Sequence, residues 1–235
     1  MMQKTLSKEI SFKGNALHTG EVVNVKLIPS AENTGIIFVR EDLENAEIPA
    51  LVKYVNRTDR QTILENGEAS VGTVEHLMAS LYALGIDNLR IELNGSEVPI
   101  LDGSAGPLVD LILEAGIEEQ SVEKNFYVLE ETFTFKDEDG SEIMALPSEE
   151  FEVSALIDYG SSVLGPQHAH LDKMVNFRDE IASARTFSFL RELEPLLDAG
   201  LIKGGDLNNA IVYVDQDIAP STLDKLKTAF GRDDV

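Results

Sequence analysis

The same order of predicted elements runs through the chain twice, and this repeat constrains the fold more than any other feature. Hairpin strands with alternating apolar and polar residues come first, followed by a helix, a strand and a second helix. In the first half these elements occupy residues 4–12, 21–28, 35–40, 73–84, 88–93 and 104–116. In the second half they occupy residues 126–135, 142–146, 151–157, 177–197 (with a break near Arg185-Thr186), 210–214 and 221–230. The repeat predicts an α+β fold of two similar domains, each a sheet layered with helices.

A polar segment at residues 117–125 separates the two halves and predicts a domain boundary. The first domain then spans residues 1–120 and carries the Glu-His motif described below, and the second spans residues 121–235. A cleft between two such domains is the expected place for a ligand. No strong strand or helix follows the last predicted helix. We therefore expect the second domain to be C-terminally incomplete, either because it is smaller than its partner or because the chain is truncated.

Composition excludes several classes of partner. The chain has 42 acidic and 19 basic side chains, which gives a formal net charge of −23. Such a surface repels phosphate backbones and anionic membranes, so nucleic acid is not an expected partner. The sequence contains no cysteine, so a metal ion would be held by His, Asp, Glu or water. It also contains no signal-peptide core and no run of about 18 apolar residues. We therefore expect a cytoplasmic protein without a transmembrane segment.

An acid–imidazole pair, Glu75-His76, lies where the first predicted helix begins. Thr73 is the predicted N-cap, because its hydroxyl can accept a hydrogen bond from the first turn. The apolar stripe of this helix comprises Val74, Leu77, Met78, Leu81 and Leu84. At about 100° per residue, both Glu75 and His76 lie outside that stripe. The positive end of the helix dipole favours a neutral imidazole, which is the form that binds metal. On these residues alone, a functional pair and a solvated helix start both remain open.

The other histidines and the glycine-containing loops give weaker signals. His168 and His170 would share one face of a strand and could both reach a metal ion, but a solvated strand or loop is the preferred interpretation. His18 is interpreted as a structural residue at a strand end. Residues 102–107 and 203–205 fit a helix cap and a tight turn, and they also fit loops that contact a ligand. The phosphate loops of nucleotide-binding proteins, a nucleophile elbow and a His-Glu-x-x-His zinc motif are absent from the sequence.

A series of short motifs, in one consistent order along the chain, carries a family resemblance. They are Leu17-His18-Thr19-Gly20, Thr73-Val74-Glu75-His76-Leu77, Leu84-Gly85-Ile86-Asp87-Asn88, Glu97-Val98-Pro99-Ile100-Leu101-Asp102-Gly103-Ser104, Ala184-Arg185-Thr186-Phe187 and Gly200-Leu201-Ile202-Lys203-Gly204-Gly205. With these motifs the chain closely resembles the UDP-3-O-acyl-N-acetylglucosamine deacetylases, the zinc amidases of lipid A biosynthesis. The resemblance implies two α+β domains packed through their helices, each with an inserted element. It also implies hydrolysis of the N-acetyl group of an acylated UDP-sugar.

The resemblance further implies roles for individual residues. His76 would be the first Zn²⁺ ligand, and Glu75 would be the general base that takes a proton from zinc-bound water. Thr186 would stabilise the tetrahedral oxyanion, and Leu17 and Phe187 would be apolar positions around the substrate. The insert of the second domain would correspond to residues 159–174 and form an apolar passage for the acyl chain. On this view His168 and His170 are not zinc ligands.

One departure from the family pattern is serious. The family's remaining zinc ligands, a His and an Asp in a His-Lys-x-x-Asp helix, are absent from this sequence, and so is a late general-acid histidine. A single histidine cannot hold catalytic zinc, which normally takes three protein ligands. A truncated deacetylase and a non-catalytic binder of acylated nucleotide sugar are therefore both expectations. A small-molecule kinase is a third alternative, and the absence of a phosphate loop from the sequence weighs against it. Some bacteria fuse this deacetylase to a hydroxyacyl-carrier-protein dehydratase, so such a fusion is also open.

Overall fold

The computed structural model describes residues 1–230, and residues 1–123 form its first half. The elements of this half are β1 (Met2–Leu6), β2 (Ile10–Asn15), β3 (Val22–Pro29), β4 (Ile36–Arg40), β5 (Ala46–Pro49), β6 (Val55–Arg57), β7 (Ile63–Asn66), β8 (Ala69–Val71), α1 (Glu75–Leu84), β9 (Leu89–Leu93), α2 (Gly106–Ala115) and β10 (Ile117–Glu123). A short 3₁₀ turn, Val52–Tyr54, precedes β6. The predicted α+β class is confirmed.

A five-stranded sheet in the order β2-β3-β9-β4-β5 forms the base of the first half. Its strands are antiparallel except for β4 and β9, which run parallel. Alternate side chains of β3 are buried, as expected for a strand with one face on a core. The helices α1 and α2 cover that face, because their apolar side chains pack in one cluster with those of the strands. The largest helical members of the cluster are Leu77, Leu81, Leu108 and Ile112.

The second half has less buried apolar surface than the first. Its elements are β11 (Phe133–Lys136), β12 (Glu142–Ala145), β13 (Val153–Ile157), β14 (Gln167–Leu171), α3 (Phe177–Glu180), β15 (Phe187–Phe189), α4 (Leu190–Asp198), β16 (Ile211–Tyr213) and α5 (Pro220–Phe230). A 3₁₀ turn, Met174–Asn176, leads into α3. The strands pair two by two: β11 with β12, β13 with β14, and β15 in parallel with β16. Apolar side chains of the first two pairs are exposed, for example Phe133 at 59% and Leu156 at 74%.

Several predicted boundaries are wrong, and each has a physical reason. The expected linker at residues 117–125 is β10 as far as Glu123, because this segment pairs with β1 at the N-terminus. The predicted strand at 4–12 is two strands, because β1 pairs with β10 whereas β2 pairs with β3. The predicted helix at 177–197 contains a strand instead of a simple break, because Phe187 and Phe189 alternate in β15 beside β16. The division into domains at residue 120 stays a prediction.

A three-stranded sheet, β6-β7-β8, was not predicted. Its β7–β8 hairpin turns at Gly67-Glu68, and Gly67 has a φ of +64°. Glycine in the first position of a two-residue loop is typical of a β-hairpin, so the sequence contains a signal for this element. The sheet matters because the loop between β6 and β7 lies over the start of α1. No helix within residues 1–230 combines the length and the apolar character that a membrane span needs.

Candidate active site

The start of α1 is held by a left-handed residue and not by a side-chain cap. Thr73 has a φ of +54°, and the helix begins at Glu75 after Val74. The Thr73 hydroxyl lies 2.8 Å from Glu97 Oε1 and 3.2 Å from Gln61 Oε1, so it donates away from the helix. The prediction of Thr73 as N-cap is therefore wrong. The helix ends at Gly85, which is its C-cap and has the left-handed conformation that favours glycine there.

Glu97 is the buried carboxylate that connects this helix start to the first motif. It is only 2% exposed. Its two oxygens accept from the backbone N–H of His18 at 3.0 and 3.1 Å and from that of Thr19 at 3.0 Å. Together with the Thr73 hydroxyl, these donors satisfy a charge that would otherwise be costly to bury. Sequence reasoning quoted Glu97 only as part of a motif and assigned it no role.

The Glu75-His76 pair lies on the exposed side of the first turn of α1, and both side chains are half-buried. Glu75 Oε2 accepts a hydrogen bond of 3.0 Å from the Thr62 backbone N–H. The backbone oxygen of His76 accepts one of 2.8 Å from Ser80 Oγ. The loop before β7 therefore fixes the direction of the Glu75 carboxylate.

Thr186 lies against the loop that joins β9 to α2. Its backbone N–H donates to Gly103 O at 2.7 Å, and Arg185 Nε donates to Asp102 O at 2.7 Å. Ser80 Oγ lies 3.5 Å from Ala105 O, which links the same loop to α1. Leu101 and Gly103 have positive φ values of 53° and 84°, so this turn is sharply bent. The structure thus brings the second-half residue Thr186 to the loop beside the Glu75-His76 helix.

Residues 102–107 are better explained by local structure than by a ligand. Asp102 Oδ1 accepts from the Ser104 N–H at 2.9 Å and from Ser104 Oγ at 2.8 Å, and Ser104 Oγ accepts from the Gly106 N–H at 3.2 Å. Pro107 lies in the first turn of α2, as predicted. The helix begins at Gly106 and not at Ser104.

Residues 200–205 close over the first motif. The N–H of Gly204 donates to Leu17 O at 3.0 Å, and that of Lys203 lies 3.4 Å from His18 O. A Cβ on Gly204 would overlap Ala16 O, so only glycine allows this approach. We use the term seam for the backbone contacts that join residues 16–20 and 101–105 to residues 184–187 and 200–205. The seam gathers separate motifs of the sequence into one place.

The two predicted apolar substrate positions lie on different clusters. Leu17 packs against a second-half cluster of Leu190, Leu193, Ile202 and Leu226. The Phe187 ring is half-buried among other aromatic rings. Their centroids lie 5.0 Å away for Tyr159, 5.4 Å for Tyr213 and 5.7 Å for Phe189.

The remaining histidines occupy different environments. His18 is buried to 6% exposure, and neither of its ring nitrogens has a hydrogen-bond partner among residues 1–230. His168 and His170 are exposed on β14, where His170 Nδ1 lies 2.7 Å from Ser154 Oγ. Of the four histidines, His18 alone is buried.

An ion pair between the two halves lies beside Glu75. Arg60 Nη1 contacts Glu192 Oε2 at 3.0 Å. Arg60 is two residues before Thr62, which holds Glu75. The Arg60 hydrogen bond lowers the pKa of Glu192, and Glu192 raises the pKa of Arg60. Residues 60–62 therefore connect the candidate base to the helix start of α4 in the second half.

We expect Arg60→Met to destabilise the protein at pH 7 by less than about 1 kcal/mol, because the pair is partly exposed and screened. The Glu192 pKa is lowered in the folded state, so the pair stabilises above the unfolded pKa of about 4.3. That stabilisation is lost as the pH falls through the folded value. Denaturant midpoints at pH 7 and pH 3 measure the difference. Arg57→Met is the control, because Arg57 is exposed in the same segment. If Arg60→Met and Arg57→Met lowered the denaturant midpoint equally at pH 7, the Arg60–Glu192 ion pair would not contribute to stability.

The described residues do not form a complete metal site. Within residues 1–230, no group of three or more His, Asp or Glu side chains is arranged to hold a metal ion. Catalytic zinc normally takes three protein ligands. His76 alone does not meet that requirement, so any further ligands for zinc would have to come from elsewhere.

The fold and this constellation define an α+β protein whose candidate site lies where its two halves meet. A family model described as UDP-3-O-acyl N-acetylglycosamine deacetylase matches residues 3–227. The chain therefore belongs to this deacetylase family.

Two relatives illustrate the extent of the match. The chain is 47% identical over 233 residues to the "Bifunctional enzyme LpxC/FabZ" of Bacteroides thetaiotaomicron. This match covers 98% of this chain and 50% of that protein. It is 46% identical over 212 residues to the UDP-3-O-acyl-N-acetylglucosamine deacetylase of Myxococcus xanthus, which covers 89% of this chain and 67% of that protein. The chain thus spans about half the length of the bifunctional relatives.

Proposed function

We propose that this chain provides part of the active site of a zinc-dependent deacetylase that hydrolyses the N-acetyl group of UDP-3-O-acyl-N-acetylglucosamine in lipid A biosynthesis. The observation that carries the proposal is the seam, which brings residues of separate family motifs together beside α1. Family membership and the names of the relatives support the choice of substrate. Water adds to the acetamide carbonyl, the C–N bond breaks, and acetate and a free amine are the products.

In this proposal Glu75 is the general base that removes a proton from the attacking water. The Thr62 N–H, 3.0 Å from Glu75 Oε2, occupies one lone pair and leaves the other oxygen for water. Thr186 is the proposed donor to the oxyanion, because a hydroxyl aimed at developing charge stabilises the transition state. Its position is set by the backbone bond to Gly103. Leu17 and Phe187 are proposed to contact the apolar part of the substrate.

Zinc and the assignment of His76 as its ligand are parts of the proposal that the described residues support only incompletely. His76 lies in the first turn of α1, and its side chain is half-buried. The bifunctional name of several relatives supports a fused dehydratase as a partner of this chain. The acyl passage proposed for residues 159–174 is supported by the Tyr159–Phe187 ring contact at 5.0 Å.

The alternative function is a binder of acylated nucleotide sugar that lacks catalysis. The observation in its favour is that no set of three metal-binding side chains occurs in the part of the chain that the structure describes. Such a binder would hold the substrate without releasing acetate and without retaining zinc.

His76→Ala tests the proposed function. We expect the full-length wild-type protein to retain about one zinc ion and to release acetate from UDP-3-O-acyl-N-acetylglucosamine. The variant should lose bound zinc and activity together, since loss of one of three ligands severely weakens binding. Zinc content by mass spectrometry and acetate release measure the outcome. His168→Ala is the matched control, because this imidazole is exposed on β14. Zinc retention by His76→Ala would exclude it as a ligand, and wild-type protein without acetate release would favour the binder.

A further inference from the structure

The buried Glu97 carboxylate joins two segments that the proposed function uses separately. One is the loop at residues 16–20, where the carboxylate accepts the N–H groups of His18 and Thr19. The other is the start of α1, where it accepts the Thr73 hydroxyl at 2.8 Å. Glu97 lies after the end of β9 and forms an isolated parallel β-bridge with Gly72. This one side chain therefore sets the distance between the first motif and the acid–imidazole helix.

The contacts of Glu97 continue to the candidate base. Thr73 stands two residues before Glu75 and has the left-handed backbone that turns the chain into α1. Its hydroxyl also lies 3.2 Å from Gln61 Oε1. Gln61 precedes Thr62, whose N–H holds Glu75 Oε2. The single proton of the Thr73 hydroxyl serves the shorter contact with Glu97, so Glu97 constrains the backbone that carries Glu75 and, through Glu75, its bond with the Thr62 N–H.

Stability alone is a poor explanation for this carboxylate. Glu97 is 2% exposed, and it forms no ion pair with a Lys or Arg side chain within residues 1–230. A buried charge is often no more stabilising than a well-packed apolar side chain. An apolar side chain, however, cannot accept hydrogen bonds from two backbone amides and a hydroxyl at once. The carboxylate therefore fixes the relative positions of these donors, which an apolar side chain would not do.

We infer that Glu97 is a positioning residue for the Glu75 base, acting through Thr73 and the start of α1. The inference rests on the proposed deacetylase function for its catalytic consequence. Glu97 touches neither water nor substrate in this role, so its loss should lower kcat more than it changes KM. A misplacement of about 1 Å in a catalytic group can cost about 10²-fold in rate.

Glu97→Ala and Glu97→Gln separate positioning from charge. In Glu97→Gln, the amide NH₂ can replace Oε1 and donate to the Thr73 hydroxyl, while the carbonyl oxygen replaces Oε2 and accepts the His18 and Thr19 amides, so most of the geometry is preserved. We expect kcat to fall by about 10²-fold in Glu97→Ala, with KM changed less than about 3-fold, and to fall less than about 10-fold in Glu97→Gln. Glu118→Ala, which removes an exposed carboxylate of β10, is the control.

Thr73→Val keeps the inference testable if Glu97→Ala does not fold. It deletes the link between Glu97 and α1 but leaves the contacts with His18 and Thr19 in place. We expect its kcat to fall by about 10-fold, which is part of the effect of a full misplacement. Unchanged kcat in a folded Thr73→Val variant, with Glu97→Ala unfolded, would overturn the positioning role.

Amide hydrogen exchange separates failure of this inference from failure of the proposed function. In Glu97→Ala, or in Thr73→Val if the first variant does not fold, we expect faster exchange at the Thr62 amide, which is bonded to Glu75. This readout needs no turnover, so it decides the matter even if the wild-type protein proves to be only a binder. Unchanged Thr62 exchange in a folded variant would overturn the inference, whatever the activity.

Discussion

Glu75→Gln is expected to abolish measurable acetate release while leaving the protein folded. Glutamine keeps the shape of the side chain, and its carbonyl oxygen can still accept from the Thr62 N–H at the position of Oε2. It cannot take a proton from water, and loss of a general base typically costs about 10²–10⁴-fold in rate. Steady-state acetate release, measured with zinc present, gives the ratio of kcat values.

The control for this variant is Glu114→Gln, which neutralises an exposed carboxylate near the end of α2. It should behave as the wild type. The melting temperature and zinc content of Glu75→Gln should also match the wild type, because neither the core nor His76 is altered. A kcat within 10-fold of the wild-type value would exclude Glu75 as the general base.

Gly103→Ala is expected to give the largest loss of stability among single glycine substitutions at the seam. A Cβ at this position would overlap the backbone oxygen of Asn209 and lie 3.3 Å from Thr186 Cγ2. The φ of +84° adds the strain of a left-handed backbone. Overpacking against backbone typically costs about 1–3 kcal/mol, and the strain adds about 1–2 kcal/mol more. Denaturant unfolding measures the loss.

Gly140→Ala is the matched control, because Gly140 has a similar φ of +94° and no atom within 4 Å of the added Cβ. Only the backbone strain is shared, so the difference between the two variants isolates the contact with residue 209. We expect Gly103→Ala to lose at least about 1 kcal/mol more than the control. It should also lose activity, since Thr186 depends on Gly103 for its position. If Gly103→Ala and Gly140→Ala lost equal free energies of unfolding, the backbone at residues 103 and 209 could separate with little loss of stability.

The sequence was a good guide where a local pattern determines structure. The apolar stripe of α1, its end at Gly85 and the alternation of β3 and β9 follow from side-chain period and from a single glycine conformation. The order of elements also led to the α+β class. Each of these features is decided within about ten neighbouring residues.

The sequence was a poor guide where a distant partner determines structure. Residues 117–123 look like a polar linker, and only their pairing with β1 makes them a strand. Thr73 has the right chemistry for an N-cap, but Glu97 and Gln61 attract its hydroxyl away from the helix. The importance of Glu97 depends on donors far along the chain, so no local pattern around it indicates its burial.

The sequence indicated some residues of the candidate site and not others. Motif resemblance pointed to Glu75, His76, Thr186, Leu17 and Phe187, and their roles stay predictions. It did not point to Thr62, Arg60 or Glu192, whose contacts connect the candidate base to the second half. Arg60 and Thr62 lie in a loop that periodicity does not describe, and Glu192 lies in α4, where no local pattern indicates its partner. They become visible only when hydrogen bonds between distant segments are known.

The seam also has a consequence for the order in which the molecule unfolds. Its bonds join residues far apart in sequence, such as Asp102 and Arg185, which are 83 positions apart. The first-half cluster does not depend on the seam, since its members all lie within residues 1–123. The core of the first half can therefore stay folded when the seam opens and the candidate catalytic groups move apart. Mild denaturant should then separate the two halves of the candidate site before the five-stranded sheet melts.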